Sequence, residues 1–261
     1  FKTRILRKVV EWELSFTHSR TGRRILFQNT TDRDALIAAQ VIDADKAPIV
    51  GGVGTDLTRF RPGAKNNAPP LIGFGARMLS AKGVVELVEA ARLLKERGVA
   101  CRVQLCGIPD PGNPSSLSEV ELNAWHDAGI IEWLGHVSDI ERVLATADVA
   151  CLPSYREGMP KFLLDAAASG LPLVATNVPG CKDVVQHGVN GLLVPKCNSS
   201  ALADGLAELI ANPERREAMG QASRERAELE FAHDAFVHKI LATISEVASE
   251  AGLSPFKTVD L

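Results

Sequence analysis

Features that mark several common protein classes are missing from this sequence of 261 residues. Its five cysteines form no CxxC pair and no Cys/His spacing typical of zinc sites, so we expect no metal. No apolar run reaches the roughly 20 residues that a membrane-spanning helix needs. A net charge of −3 gives no general basis for binding nucleic acid, and we expect no such partner.

Two further absences concern the origin and compartment of the chain. The sequence begins with Phe1 and shows no secretory signal, so we expect it to be part of a longer protein. Most of the cysteines lie in apolar, strand-like runs, and we expect free thiols in a reducing cytoplasm.

Residues 1–19 have the pattern of an amphipathic helix. Ile5, Val9, Trp12 and Phe16 follow a 4-3-4 spacing, and four basic residues occupy the first two turns. One interpretation is a helix that docks on another domain of the parent protein. The other is peripheral contact with the inner membrane face, because basic residues beside Trp and Phe suit anionic headgroups.

Regular alternation of strand-like and helical segments begins after a linker-like stretch near residues 63–70. Such βα alternation predicts an α/β fold with a parallel sheet over 63–230. We expect 231–250 to be a last long helix and 251–261 to be frayed. Residues 1–62 are assigned to a separate region that ends before the sheet domain. Within it, the sequence predicts strands over 23–29 and 47–56, the second running into a glycine-rich loop.

The first segment with chemical potential is GFGARMLSAKG, residues 73–83. A strand there delivers Arg77 and Lys82 to the carboxyl edge of the sheet, where ligands of open α/β sheets bind. Arg grips two phosphate oxygens and Lys acts as a mobile point charge, so the pair suits a diphosphate. The alternative is that both cations are merely solvated beside a helix start.

The second segment, residues 153–180, contains strand, turn, helix and strand signals in succession. Glu157 stands in the turn, Pro160 is predicted as the first helical residue, and Asp165 lies in the helix. The two acids are too far apart to share a proton but suit an elongated ligand. Alternatively, Glu157 is a helix N-terminal acid and Asp165 a bonded, buried polar residue. Backbone donors of the turn are predicted at Gly158, Met159, Lys161 and Phe162.

Three stretches together resemble one enzyme family. The run from REGMPKFLLDAAASG to GVNGLLVP resembles the signature of group 1, family 4-like, retaining glycosyltransferases of the GT-B fold. GARMLSAKG resembles their diphosphate loop, and GGVGTDLTRFRPG resembles the segment that joins their two Rossmann-like domains. The resemblance implies the C-terminal half of that fold, a Rossmann-like parallel sheet with helices on both faces.

The resemblance also implies roles for individual residues. Glu157 would contact hydroxyls of the donor sugar, Asp165 the ribose, and Arg77 with Lys82 the diphosphate. The family has glutamate at the second acidic position, and Asp165 shortens that reach by one methylene. The turn formed by Gly158, Met159, Pro160, Lys161 and Phe162 would touch the sugar and phosphate.

Further positions follow from the same resemblance. The loop after WLGHV (133–137) would hold the nucleobase, mostly through its main chain, with Val137 among the donor-binding residues and Gly54 near the cleft. His136 would either help there or be a plain structural histidine. Residues 1–62 would be the remnant of an N-terminal acceptor domain, to which the helix over 231–250 would cross back.

The implied reaction of the full-length protein is transfer of a hexose-type sugar to an acceptor hydroxyl. The donor would be a nucleoside diphosphate sugar, with UDP expected, and the acceptor a glycan or lipid-linked glycan held by the missing domain. No cofactor is expected, and this chain alone is expected not to transfer sugar. Two alternatives stay open: a non-catalytic nucleotide-sugar-binding module, and a GT-B epimerase or phosphorylase-like enzyme.

Overall fold

The computed structural model describes residues 10–11, 13–15, 23–64 and 67–250. Its centre is a six-stranded parallel sheet with the strand order β3-β2-β1-β4-β5-β6. This arrangement confirms the predicted α/β fold with a Rossmann-like parallel sheet. The strands are β1 (Leu71–Gly75), β2 (Arg102–Cys106), β3 (Glu132–Gly135), β4 (Val149–Leu152), β5 (Leu173–Thr176) and β6 (Gly191–Val194).

Helices cover both faces of the sheet. Strands advance from β1 in one direction and from β4 in the other, so right-handed crossovers place their helices on opposite faces. Helix α2 packs against α7 on one face, while α4, α5 and α8 pack in succession on the other. The helices are α1 (Thr30–Ala38), α2 (Val84–Glu96), α3 (Glu119–Asp127), α4 (Ile140–Thr146), α5 (Lys161–Ala168), α6 (Cys181–Val184), α7 (Ser199–Ala211), α8 (Pro213–Arg226) and α9 (His233–Glu250).

The central strands are apolar because helices cover both faces of the sheet. All four residues of β4 and all four of β5 are buried, as expected for parallel strands between two helical layers. Ile72 and Phe74 of β1 are fully buried in the same core. The side chains free to meet a ligand are therefore those in the loops at the strand ends.

The described chain divides into two compact units. The larger runs from Gly54 to Ala232, and the other contains the described residues before Gly54 and from His233 onward. The predicted boundary between 62 and 63 lies further along the chain than this division. Two contacts explain the difference: the Thr55 amide donates to the Phe231 carbonyl at 2.7 Å, and Phe60 packs in the core of the sheet.

The smaller unit contains little regular sheet. The predicted strands near 23–29 and 47–56 are replaced by single bridges, of which one pairs Phe27 with Ile49. Arg24 instead bonds Glu246 and Glu250 of α9 at 2.5 and 2.6 Å. Helix α9 corresponds to the long helix predicted over 231–250.

Some predictions fall on residues outside the described ranges. The apolar face of the first helix (Ile5, Val9, Trp12 and Phe16) and the frayed tail over 251–261 both lie there. In the part of the chain that the structure describes, no helix combines the length and apolar character needed to cross a bilayer.

Candidate functional site

An ion pair joins the two predicted site loops at the carboxyl edge of the sheet. Strands β1 and β4 are neighbours, with Ile72 beside Val149. The chain leaves β1 through a 3₁₀ turn, Ser80–Lys82, and leaves β4 into the loop that carries Glu157. Lys82 Nζ lies 2.7 Å from one Glu157 carboxylate oxygen and 2.8 Å from the other.

Glu157 is held on a second side by a serine that the sequence prediction missed. The Ser154 hydroxyl donates to Glu157 Oε1 at 2.6 Å, and Ser154 itself is fully buried. The Ser154 carbonyl accepts a hydrogen bond from Thr176 at the end of β5. Both Glu157 oxygens thus accept hydrogen bonds from within the protein, which holds the carboxylate in one orientation.

Two glycines allow the backbone to close around this ion pair. Gly83 has φ +75°, and a Cβ there would lie 2.1 Å from the Pro153 carbonyl oxygen. Gly180 has φ +79°, and a Cβ there would lie 2.6 Å from the Gly158 oxygen. Both positions combine left-handed backbone with close approach, which a side chain does not permit.

Arg77 reaches a different part of the same edge. Its guanidinium bonds Asp110 at 2.5 Å and is 59% exposed. Lys82, by contrast, pairs with Glu157, so the structure does not bring the two predicted cations into one contact. Asp110 belongs to a loop that gave no signal in the sequence.

A cavity of about 320 Å³ opens beside Arg77. The ends of β1 and β2, the loop after β3 and the start of α5 meet there, and its walls are mainly apolar. His136 and Val137, predicted near the nucleobase, both line it, whereas Gly54 stands outside the lining residues. The lining residues are Gly75, Ala76, Arg77, Cys106, Gly107, Ile108, His136, Val137, Ile140, Phe162 and Asp165.

Asp165 is the buried acid of this cavity, with 6% of its surface exposed. The Thr55 hydroxyl donates to its Oδ1 at 2.7 Å, and Lys161 one helical turn earlier pairs with the same oxygen. Burial raises the pKa of the Asp165 carboxyl, and the bonds from Lys161 and Thr55 oppose that rise. Thr55 lies 110 positions away in sequence, and no local pattern predicts its contact with Asp165.

The N-terminus of α5 lies between the ion pair and Asp165 in sequence. The helix begins at Lys161, and Pro160 is its N-cap with ψ 107°, so the prediction of Pro160 as first helical residue was wrong. A proline fixes φ but not ψ, and here ψ stays extended. Leu163 and Leu164 both donate to the Pro160 carbonyl, which leaves the amides of Lys161 and Phe162 before the helical bonding pattern. Gly158 and Met159 complete the turn that leads into it.

Of the side chains that the structure describes, those at this edge do not form a group of the kind that metal ions require as ligands. Within the described residues, no three His, Cys, Asp or Glu side chains stand together as ligands for a metal ion. The charged groups at the site are instead Lys82, Glu157, Arg77, Asp110 and the pair formed by Lys161 with Asp165.

Comparison with known proteins gives one family and many relatives. Residues 57–226 match the family model for glycosyl transferases group 1. A Campylobacter jejuni protein, N,N'-diacetylbacillosaminyl-diphospho-undecaprenol alpha-1,3-N-acetylgalactosaminyltransferase, is 28% identical over 231 residues, covering 83% of this chain and 58% of its own. The putative colanic acid biosynthesis glycosyltransferase WcaL of Escherichia coli is 36% identical over 166 residues, covering 60% and 41%. The chain spans about half the length of the curated relatives it matches.

A solved structure shares the fold. The crystal structure of Anabaena Alr3699/HepE in complex with UDP aligns with a TM-score of 0.78 and 20% identity. The alignment covers 90% of this chain and 68% of that chain.

Proposed function

This chain belongs to the group 1 glycosyltransferases, and we propose that it forms the donor-binding half of a retaining enzyme that uses a nucleoside diphosphate sugar. The proposed full-length reaction moves a hexose-type sugar to an acceptor hydroxyl in the synthesis of a surface polysaccharide or lipopolysaccharide. The observation that carries the proposal is that one edge of the sheet holds both the Lys82–Glu157 ion pair and the cavity lined by Arg77.

The cavity suits a nucleotide in shape and chemistry. Its apolar walls fit the flat face of a base, with Val137 and His136 on the β3 side and Arg77 on the β1 side. UDP is the nucleotide we propose, and the UDP complex of the similarly folded Anabaena protein supports it. A diphosphate that continues from the cavity toward Glu157 passes the N-terminus of α5, which favours anions.

In the proposed mechanism, cations promote departure of the nucleoside diphosphate. The bond between the sugar C1 and the β-phosphate oxygen breaks, and negative charge develops on that phosphate. Lys82, Arg77 and the amides of Lys161 and Phe162 stabilise this charge electrostatically. The acceptor oxygen bonds C1 from the same face, and its proton passes to the leaving phosphate. Glu157 accepts hydrogen bonds from donor-sugar hydroxyls and holds the ring in place.

The acceptor side of the reaction belongs to a region we propose to lie outside this chain. Names of relatives in undecaprenol-linked and colanic acid glycan synthesis support a glycan or lipid-linked glycan acceptor. We propose that the enzyme works in the cytoplasm at the inner membrane face, where residues 1–19 would supply peripheral contact. The five free thiols support this compartment, because cytoplasmic thiols stay reduced.

Calorimetry with UDP and UDP-sugars tests the proposal. Arg77→Ala combined with Lys82→Ala should abolish the binding that the unchanged chain shows, whereas Lys95→Met, in the last turn of α2, should leave binding intact. An unchanged affinity in the double variant, or no binding by the chain at millimolar UDP, would contradict the site. We expect this chain alone not to transfer sugar; release of free UDP or an epimer without acceptor would indicate a different GT-B reaction.

A further inference from the structure

The Asp165 carboxylate is bonded on one side only. Thr55 and Lys161 both bond its Oδ1. Among the described residues, no donor is seen on Oδ2, although Asp165 is buried and lines the cavity. A carboxylate oxygen accepts two hydrogen bonds, so Oδ2 has the capacity to receive a donor from a bound molecule.

Lys161 is itself fixed by a second contact. Its ammonium lies 5.1 Å from the centre of the Phe60 ring, and Phe60 is only 3% exposed. A cation over an aromatic face is attracted by the ring quadrupole, and the i,i+4 spacing on α5 brings it to Asp165. The ammonium therefore stands between a rigid ring and the carboxylate, and it defines where Oδ1 points.

Two cations among the described residues act on the Asp165 carboxyl. Lys161 and Arg59 are the cations acting on the carboxyl, and Arg59 is itself paired with Glu141 at 2.7 Å. Burial opposes ionisation of Asp165, and Lys161, Thr55 and Arg59 act against it. Loss of the ammonium would therefore make the carboxyl easier to protonate, and a neutral acid forms weaker hydrogen bonds than a carboxylate.

We propose that Thr55 and Lys161 are positioning residues that hold Asp165 by one oxygen, so that the other accepts a hydrogen bond from a ribose hydroxyl of the nucleotide. This inference rests on the proposed function, since it deepens the same site. Thr55 and Lys161 would thus orient Asp165, whose side chain is one methylene shorter than the glutamate of the family.

The test compares the affinities of UDP, 2′-deoxy-UDP and 3′-deoxy-UDP by calorimetry at pH 6 and pH 8.5. The unchanged chain should prefer UDP over at least one deoxy analogue by about 10- to 100-fold, the range for a hydrogen bond to a charged group. Lys161→Met should reduce this preference, and the reduction at pH 6 should be at least as large as that at pH 8.5, because without the ammonium the carboxyl is easier to protonate. Thr55→Val, which keeps the side-chain shape, should reduce it at both pH values.

Controls separate positioning from folding and from general charge. Lys161→Arg should keep the preference, and Lys95→Met, which removes a remote cation, should match the unchanged chain. If Thr55→Val unfolds below the assay temperature, the test depends on the two Lys161 variants. Loss of the preference in Lys161→Met with retention in Lys161→Arg supports the inference, and equal preference in the two variants contradicts it. Wild-type preference in both Lys161→Met and Thr55→Val, or equal binding of all three nucleotides by the unchanged chain, overturns the inference alone. Absence of UDP binding by the unchanged chain overturns the proposed function with it.

Discussion

At the scale of single residues, Glu157 stands out because two side chains of the protein bond its carboxylate. Lys82 bonds both of its oxygens and Ser154 bonds one. The Lys82 and Glu157 side chains are 23% and 11% exposed, so their attraction is less screened than that of a surface pair. A diphosphate that uses Lys82 must compete with this carboxylate.

This competition predicts the effect of Glu157→Gln. Without the carboxylate, Lys82 is free for phosphate and a repelling charge is gone, so the affinity for UDP should rise about fivefold, roughly 1 kcal/mol. The preference for a UDP-sugar over UDP should fall, because contacts to the sugar hydroxyls weaken. Titration of both ligands into Glu157→Gln measures the two changes together. Glu89→Gln, at an exposed position of α2, is the control, and weaker UDP binding by Glu157→Gln would argue against competition.

Gly180→Ala should disturb the Glu157 turn directly. An added Cβ would lie 2.6 Å from the backbone carbonyl oxygen of Gly158 and 2.8 Å from that of Glu157. Gly180 also has a φ of +79°, which a side chain rarely adopts. Gly188 has a similar φ of +81° with nothing within 4 Å, so Gly188→Ala isolates the backbone strain of about 1–2 kcal/mol. Urea unfolding should show a larger loss for Gly180→Ala, with reduced UDP-sugar binding only in that variant. Equal losses would mean that the close approach has no consequence.

How far the sequence predicts the site depends on the kind of contact. The positions of Arg77, Lys82 and Glu157 follow from strand ends and loop composition, because parallel strands deliver their loops to one edge. Ser154 and Thr55 were not predicted, since a hydroxyl that bonds an acid 3 or 110 positions away leaves no periodic trace. Only the tertiary fold brings these two hydroxyls to their carboxylates.

At the scale of elements, the two site loops are fastened to each other at several points. The Tyr155 amide donates to the Ala81 carbonyl at 3.0 Å, next to the Lys82–Glu157 pair. The Tyr155 hydroxyl donates to Glu86 Oε1 in the first turn of α2 at 2.6 Å. Glu86 Oε2 is buried and has no hydrogen-bond partner among the described residues. The loop after β4 is thereby tied to the helix that follows Lys82.

Tyr155→Phe should loosen this connection. It removes a donor to a half-buried carboxylate, and the free energy of unfolding should fall by about 1–3 kcal/mol in urea titrations. The double variant Tyr155→Phe with Glu86→Leu removes both partners and should recover much of that loss. Two results would show that this hydrogen bond does not connect the loops. In one, Tyr155→Phe has the same free energy of unfolding as the unchanged chain. In the other, the double variant loses as much free energy of unfolding as the two single variants together.

Element prediction succeeded where strands lie between two helical layers and failed outside them. Apolar runs such as those of β4 and β5 are typical of buried parallel strands, and the alternation with helices fixed their order along the chain. The runs near 23–29 and 47–56 have similar composition, yet the structure pairs them only by single bridges. Strand propensity expresses packing against neighbours, which a local sequence does not contain.

At the scale of the whole molecule, the sheet core buries thiols that make stability depend on alkaline pH. Burial raises the pKa of Cys106 to about 11 and that of Cys181 to about 12, and it also raises the pKa of Cys151. In the unfolded chain these thiols ionise near 9. Because the folded pKa values are the higher ones, the stability they contribute is present below about pH 9 and lost as pH rises toward 11 and 12.

Urea midpoints at pH 7.5 and 9.5 measure this dependence. Each thiol that ionises only in the unfolded state lowers the free energy of unfolding by up to about 1.4 kcal/mol per pH unit. Cys181→Ala should reduce the slope with pH, even though it costs stability at both values by leaving a small cavity. A slope identical to that of the unchanged chain would exclude Cys181 as a contributor.

The strand order itself has an evolutionary consequence. The loops of Lys82 and Glu157 follow the adjacent central strands β1 and β4. His136 and Val137 follow β3, which lies at the edge of the sheet and, among the described strands, pairs with β2 alone. Mutations in and after β3 disturb one neighbouring strand, while mutations at the centre disturb two. If the proposed function holds, related enzymes can therefore diverge in the nucleobase that they bind. Their contacts to the phosphate and the sugar would stay the same.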